Sequence, residues 1–599
     1  MSTFSNVVKG VANPANPGRL ISQFAPLAVA LLVAGILPSF VDNYWIQIAS
    51  LACIYWVLIA GLNLIVGYAG QLAIGFVGLL AIGAYTAAIL CEKLGVPSLV
   101  ALVFAGCSGA FFGFVIGLPS LRLKNFYFAM TTLGFATIVT QVALGWESLT
   151  GGGIGLPGPV FPAPFNSSIG FYYLVLAMAL IATYLLRNIA ISNFGRGLIA
   201  VRDAEVAAEA MGVPVVRLKL VTFTFSGGLA GLAGALYAAR QTYITPDAFT
   251  FDLSVMFFIA VLIGGRGRIV GPMVGTAILT VLPEIAAPLV AWSTFAYGLL
   301  LLLVVLIVPG GMADYLDKIF KKRPIANRIT APKVGVISAV ISRAGDKAVT
   351  PLIVKNVALA FGGVRALDGV DLEVQPGTIH GLIGPNGSGK TTLLNVISGY
   401  YAANQGTICF GEHDIAGLPV QSRSRLGIAR TFQTPRVLGN LSVLENAMLG
   451  AYSQFSSSFP LTALGLPHSH REDKAIRERA YQALTAVGLA HCAECRADQL
   501  QHTEQRFLEI ARCLVMQPKI LLLDEPAAGL AHNEIENLGT LIEEMCALGV
   551  AVLLIEHHTD LVFRISDHVT VLNLGKVLAS GTPSEVRTNK EVINAYLGT

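Results

Sequence analysis

The sequence predicts two fold classes in one chain: an α-helical membrane domain of eight to ten spans, then an α/β domain built around a phosphate-binding loop. Three observations carry this expectation. Residues 20–310 are strongly apolar and almost free of charge, and charged residues return at soluble density from about residue 350. A glycine-rich octapeptide follows the apolar run IHGLI and precedes a helix-favouring stretch. Only 13% of the 599 residues are charged, against roughly 25% in ordinary globular chains. The formal charge of +4 gives no reason to invoke nucleic acid.

Taken in chain order, residues 1–20 are a polar tail with Lys9 and Arg19 and no A-x-A-like cleavage site after the first apolar run, so no cleavable leader is expected. The membrane domain is placed at 21–312. Its candidate spans lie near 24–41, 44–66, 70–91, 98–118, 126–144, 171–186, 218–239, 252–264, 270–286 and 290–309. Several fall short of the roughly 20 residues a straight crossing needs. The 252–264 and 270–286 pair, split by Gly264-Gly265-Arg266-Gly267-Arg268, reads either as two spans or as broken helices.

Charge gives the orientation. Segment 187–219 carries Arg187, Arg196, Arg202, Arg217 and Lys219, whereas 145–169 contains neither Lys nor Arg. The first is therefore expected in the cytoplasm and the second outside. Within the spans, Gly67, Gly70, Gly75 and Gly83 permit close helix approach. Asn63 and Gln71 are polar at membrane depth, and read either as translocation-path residues or as interhelical hydrogen-bond partners. Residues 195–213 read as a short exposed helix stopped by Gly212. The stretch 313–350 is a basic linker, with Lys318, Lys321, Lys322, Arg323, Arg328, Lys333, Arg343 and Lys347, suited to anionic membrane lipid.

The domain at 351–599 opens its chemistry with Gly384-Pro385-Asn386-Gly387-Ser388-Gly389-Lys390-Thr391, a full G-x-x-x-x-G-K-S/T match between a predicted strand and a predicted helix, with Thr392 next in that helix. Backbone N–H groups and the helix N-terminus face the phosphates, Lys390 reaches the outer ones, and Thr391 offers a hydroxyl to Mg²⁺. The apolar strand 520–523 ends in Asp524, a Mg²⁺ ligand, and Glu525, placed to polarise the attacking water. A later strand ends in Glu556-His557-His558, where His557 could sense the terminal phosphate. ATP and Mg²⁺ are the implied cofactors. The eight cysteines are scattered, and His491-Cys492-x-x-Cys495 lacks a second ligand pair, so plain thiols are expected.

These residues resemble the ATP-binding-cassette transporters. The stretches FGGVRALDGV, ARTFQTPRVL, LEIARCLV, LLLDEPAAGL, LLIEHH and AYLG are similar to the LivG-like ATPase of the hydrophobic and branched-chain amino acid uptake (Liv-type) family. GLNLIVGYAGQL, GAYTAA, TTLGF, SLTGG, AGLAGALYA and IGGRGRIVGP resemble its LivM-like permease. The resemblance implies that Phe361 stacks on adenine, Gln433 links Mg²⁺ to the permease, His557 is the switch histidine, and 195–213, with Arg202, Asp203, Glu205 and Glu209, is the coupling helix.

It also implies a bacterial inner-membrane importer working with a second LivH-like permease, a second LivF-like ATPase and a periplasmic solute-binding protein. The expected cargo is a branched-chain or other hydrophobic amino acid. Urea, short amides or aromatic acids are the alternative within that architecture, and an ATP-gated, non-hydrolysing regulatory or channel subunit is the alternative outside it. One departure matters. Where the family has LSGGQ or a close variant, this chain has Leu500-Gln501-His502-Thr503-Glu504. Leu530-Ala531-His532 departs as well. Bulky side chains and the Glu504 charge would hinder approach to a phosphate held by an opposing subunit, so a partner ATPase with an intact signature is expected.

Overall fold

A computed structural model describes residues 34–123, 125–286, 337–341 and 350–597, together with isolated residues between 295 and 312. The expected span at 290–309, the first part of that at 24–41, and most of the linker lie outside the described residues.

Helices α1 (Asn43–Asn63), α2 (Val77–Leu94), α3 (Ser98–Gly117), α4 (Asn125–Gly145), α5 (Ser168–Ile191), α6 (Asn193–Ala210), α7 (Val215–Arg240), α8 (Phe251–Gly264) and α9 (Gly271–Ala286) build the membrane half. Among the described residues, seven helices are long and apolar enough to cross a bilayer, and Gly271–Ile285 is a shorter apolar one. The α3–α7–α2 stack forms because glycines remove the side chains between backbones. A Cβ on Gly231 would collide with the Ala105 carbonyl, one on Gly109 with the Gly227 carbonyl, and one on Gly83 with the Gly231 carbonyl. Helices in lipid gain from such close packing because burial from water offers them nothing.

The expected span at 70–91 is corrected. Helix α1 ends in a π turn, Leu64–Tyr68, and regular helix resumes only at Val77. Gly70 adopts φ +69°, and the Ile74 and Gly75 N–H groups donate to Thr132 Oγ1 at 3.2 Å. Irregular backbone at this depth survives because protein, not lipid, satisfies it. Asn63 braces the same region, accepting from Gly267 N and donating to the Arg268 carbonyl, both at 2.9 Å. That is interhelical bonding. It ties the π turn to the loop between α8 and α9.

The second half holds a six-stranded sheet of β3 (Ile379–Ile383), β5 (Ile428–Arg430), β6 (Ile520–Asp524), β7 (Ala551–Ile555), β8 (His568–Asn573) and β9 (Lys576–Gly581), in the order β9-β8-β3-β7-β6-β5. All neighbours are parallel except β8 and β9. A smaller antiparallel sheet contains β1 (Leu352–Phe361), β2 (Val364–Val374) and β4 (Gln405–Phe410). Strands β3, β6 and β7 are buried along their whole length, as expected of parallel strands covered on both faces. Helices α10 (Lys390–Ser398), α11 (Pro467–Ala486), α12 (His502–Val515) and α13 (His532–Ala547) complete the frame used below. The apolar core of the membrane half runs on into Leu438, Leu441, Leu449 and Tyr452 of the second half without a break.

Candidate functional site

The loop between β3 and α10 carries three glycines at positive φ: Gly384 (+152°), Gly387 (+81°) and Gly389 (+103°). At Gly384 a Cβ would strike the Leu572 carbonyl, so only glycine lets the loop curl over the sheet edge. Asn386 is exposed, Pro385 half-buried and Ser388 buried. Lys390 is buried and donates to the carbonyls of Gly384 at 2.7 Å and Pro385 at 2.9 Å. Burial lowers the affinity of its amine for a proton, while Glu525 and Asp524 oppose that shift. Thr391 is exposed at the start of α10, and Thr392 lies half-buried behind it. Phe361, at the end of β1, leaves half its surface open and meets Tyr401 edge-on at 5.1 Å.

Parallel pairing sets Asp524 beside Ile555 at the ends of β6 and β7. This is why Glu525 and His557, which immediately follow, meet above the sheet. Glu525 takes φ +50°. One carboxylate oxygen accepts from Gln433 Nε2 at 3.0 Å and the other lies 2.9 Å from His557 Nε2. Gln433, Glu525 and His557, far apart in sequence, therefore form one cluster. Asp524 pairs with Arg430 at 3.3 Å through Oδ2. Its Oδ1 is buried with no hydrogen-bond partner among the described residues. Burial raises the Asp524 pKa, Arg430 opposes this, and Glu525 adds to it. An orphaned carboxylate oxygen on Asp524 and an exposed hydroxyl on Thr391 are donor types that suit a hard divalent cation taking its remaining ligands from phosphate oxygens and water. Gln433 spends its amide N–H on Glu525, leaving its Oε1 as the atom that could face such an ion.

Helix α12 holds this cluster together, through residues that the sequence reasoning missed. Arg506 donates to the carbonyls of Glu525 at 2.8 Å and Gln433 at 3.1 Å. Glu509 accepts from Arg436 N at 2.9 Å, and Arg512 donates to the Arg436 carbonyl at 3.1 Å. Buried charges spaced three apart on an amphipathic helix were the available signal. The expectation for Glu504 changes: it is buried, and its carboxylate accepts from Gln501 N at 2.8 Å, closing the start of its own helix. Gln501 and His502 are exposed, Thr503 is half-buried and Leu500 is buried. The Glu504 charge is turned inward, and Gln501 and His502 are the side chains that stand out at the signature position.

Helix α6 is not an exposed loop helix. It kinks at Ala204 (φ −155°, ψ 79°) and is buried on one side by the second half of the chain. Tyr400 Oη donates to the Val206 carbonyl at 2.7 Å, Asn440 donates to Asp203 at 3.3 Å, and Arg196 pairs with Asp473. Ala207, Ala210 and Met211 line one enclosed gap with Arg430 and Phe432, the neighbour of Gln433. Arg202 faces the other way: it binds Asp203 at 2.7 Å and donates to the Gly67 carbonyl of the π turn at 2.6 Å. Glu205 pairs with Lys219 at 3.0 Å. Glu209 is held above its usual pKa by burial and by Glu205.

A phosphate loop, an acid pair at a strand end and a cleft filled by a helix of a multi-helix membrane domain define one class: a transporter half with its ATP-binding cassette in the same chain. Family comparisons agree along the sequence. Residues 44–309 match the model described as branched-chain amino acid transport system / permease component, residues 367–528 match ABC transporter, and residues 576–599 match branched-chain amino acid ATP-binding cassette transporter.

The high-affinity branched-chain amino acid transport ATP-binding protein LivG of Escherichia coli K12 is 42% identical over 248 residues, 41% of this chain and 97% of LivG. BraF of Pseudomonas aeruginosa is 40% identical with the same coverage. A probable LivG of Archaeoglobus fulgidus is 36% identical over 94% of its length. The chain belongs to the branched-chain amino acid (Liv-type) ATP-binding-cassette transporter family, with permease and ATPase fused.

Proposed function

We propose that this chain is the permease-plus-ATPase half of an importer that moves branched-chain or other hydrophobic amino acids inward across the bacterial inner membrane. The observation carrying this reading is that one helix, α6, touches both machines. Its C-terminal part meets Phe432 next to the Gln433–Glu525 pair, and Arg202 meets the π turn that interrupts the membrane domain. ATP phosphates would be gripped by the loop N–H groups and by Lys390, which exchanges its carbonyl partners for phosphate oxygens. Glu525 accepts the proton of the attacking water, and His557 and Gln433 hold that carboxylate in place. A Mg²⁺ ion bound through Thr391 and Asp524 would neutralise phosphate charge.

The signature supports asymmetric assembly. In a symmetric pair of this chain, Gln501, His502 and Thr503 would obstruct both composite sites equally, because symmetry repeats the contact. A second ATPase with an intact signature leaves one site built from Lys390, Glu525 and His557. A second permease and an external solute-binding protein complete the complex. The test is leucine uptake and ATP hydrolysis in reconstituted vesicles, with this chain alone and with its co-purifying chains. Uptake only in the complex is the expected result. Full-rate hydrolysis by the isolated chain contradicts the asymmetric arrangement.

A further inference from the structure

We propose that the ATPase half carries its own membrane anchor: the segment 458–467 inserts into the headgroup–acyl boundary of the cytoplasmic leaflet. The segment folds as one short helix, Phe459–Ala463, followed by a tight turn at Gly465. Its outer surface is apolar and open, with Leu461 43%, Leu464 55% and Leu466 40% exposed. Pro460 and Pro467 are exposed alongside them.

Three observations identify lipid as the occupant. The first is depth. The segment docks on α5, a helix of spanning length and composition, where Tyr184 Oη donates to the Leu464 carbonyl at 3.2 Å and Asn188 Nδ2 to the Ala463 carbonyl at 2.9 Å. Arg187 marks the charged boundary of α5, and Tyr184 lies one turn, roughly 5 Å, on the membrane side of it. The second is continuity. Tyr184 and Ile181, both about half exposed, belong to the outward face of α5, a helix of spanning length and composition, so the leucines extend an exposed face of a spanning helix. Phe459 wedges between Phe194 and Phe225 from the inner side and fixes the segment there.

The third is backbone satisfaction. The carbonyls of Ser458, Pro460, Leu461 and Thr462 accept from N–H groups of the segment itself. The two that a helix end would normally leave to water, at Ala463 and Leu464, are taken by Asn188 and Tyr184. Backbone entering an apolar phase must be satisfied in this way. Exposed Arg471 and Lys474 on the first two turns of α11 supply positive charge nearby for anionic headgroups.

The test is L464W in the full chain, reconstituted into phosphatidylethanolamine–phosphatidylglycerol vesicles with or without bromine in the acyl chains, and read as the difference from the parent with its four tryptophans. Loss of the added emission in brominated vesicles, together with resistance to aqueous iodide, is expected. Quenching by iodide alone places the segment in the cytosol and overturns the proposal. Insensitivity to both means that protein covers it, such as a second permease, and overturns it equally. L461W on the same face serves as a second reporter should L464W misfold. Quenching reads depth without transport, so it stands or falls separately from the cargo.

Discussion

Replacing Arg202 by alanine should uncouple hydrolysis from transport. The side chain is largely buried, and its guanidinium bridges Asp203 and the Gly67 carbonyl. A charge-assisted hydrogen bond of this kind contributes about 2 kcal/mol, and its loss also removes the side-chain donor from the Gly67 carbonyl of the π turn. If that bond forms in only one of two conformations of the membrane half, 2 kcal/mol is about a 30-fold change in their ratio. The hydrogen bonds of Arg202 go to Asp203 and Gly67 and not to the phosphate cluster, so nucleotide turnover should persist. The assay is paired: ATP hydrolysed and leucine accumulated in the same vesicles containing the complete complex. Hydrolysis near the parent rate with uptake reduced about tenfold or more is the expected outcome. Arg202→Lys should recover only part of the uptake, because an ammonium cannot serve Asp203 and Gly67 with the same planar fork. An unchanged ratio of uptake to hydrolysis, or equal loss of both, refutes the reasoning.

Three further outcomes follow from other contacts. Glu525→Gln keeps a partner for Gln433 but removes the proton acceptor, so hydrolysis should fall by at least about 100-fold while ATP binding, read by a fluorescent analogue, persists. Gly231→Leu drives a side chain into the Ala105 carbonyl and should abolish a monodisperse detergent-solubilised species, whereas Gly134→Ala, with open space around it, should leave size-exclusion behaviour unchanged. His380 is pushed down to about 4 by burial and then by neighbouring His568. The unfolded chain therefore binds a proton first, and stability is lost as pH falls from 6.5 towards 4, by about 2 kcal/mol at about pH 5. His380→Gln can retain the bond to Thr570 and should flatten the fall in unfolding midpoint between about pH 7 and about pH 5. An unaltered slope would rule out His380 as its source.

The phosphate loop was legible because its function fixes backbone shape: only glycine suits the positive φ of Gly384, Gly387 and Gly389. The meeting of Gln433, Glu525 and His557 was not legible from spacing. It depends on β6 and β7 pairing in register, which no local pattern encodes, and only family resemblance flagged Gln433 in advance. The break at 64–76 escaped detection because hydropathy sees an unbroken apolar run; the cause is Thr132, from another helix, satisfying two N–H groups. Helix α6 was legible as a helix from composition, but only the family resemblance pointed to its docking against the ATPase, since Ala-rich sequence suits both an exposed surface and a tight cleft. Glu504 was misjudged for a related reason. A charge reads as outward-facing until one sees that it closes its own helix.

Fusion changes what interface mutations can report. LivG is matched over 97% of its length by 248 residues of this chain, whereas this chain carries a permease match and an ABC transporter match together; docking between separate chains would depend on concentration. Here docking is intramolecular, with an effective concentration of about a millimolar or more for a short connection. An interface weakened to a dissociation constant of about 10 μM would then remain about 99% closed. Arg196→Ala, which breaks the pair with Asp473, should therefore leave the two halves associated. Any loss of transport it causes would report the geometry of α6 rather than the loss of a subunit. If Arg196→Ala instead renders a protease-cleavable version of residues 313–336 inactive only after cleavage, the covalent bond is supplying occupancy. If it inactivates the intact chain equally, the ion pair is setting the angle at which α6 meets Phe432.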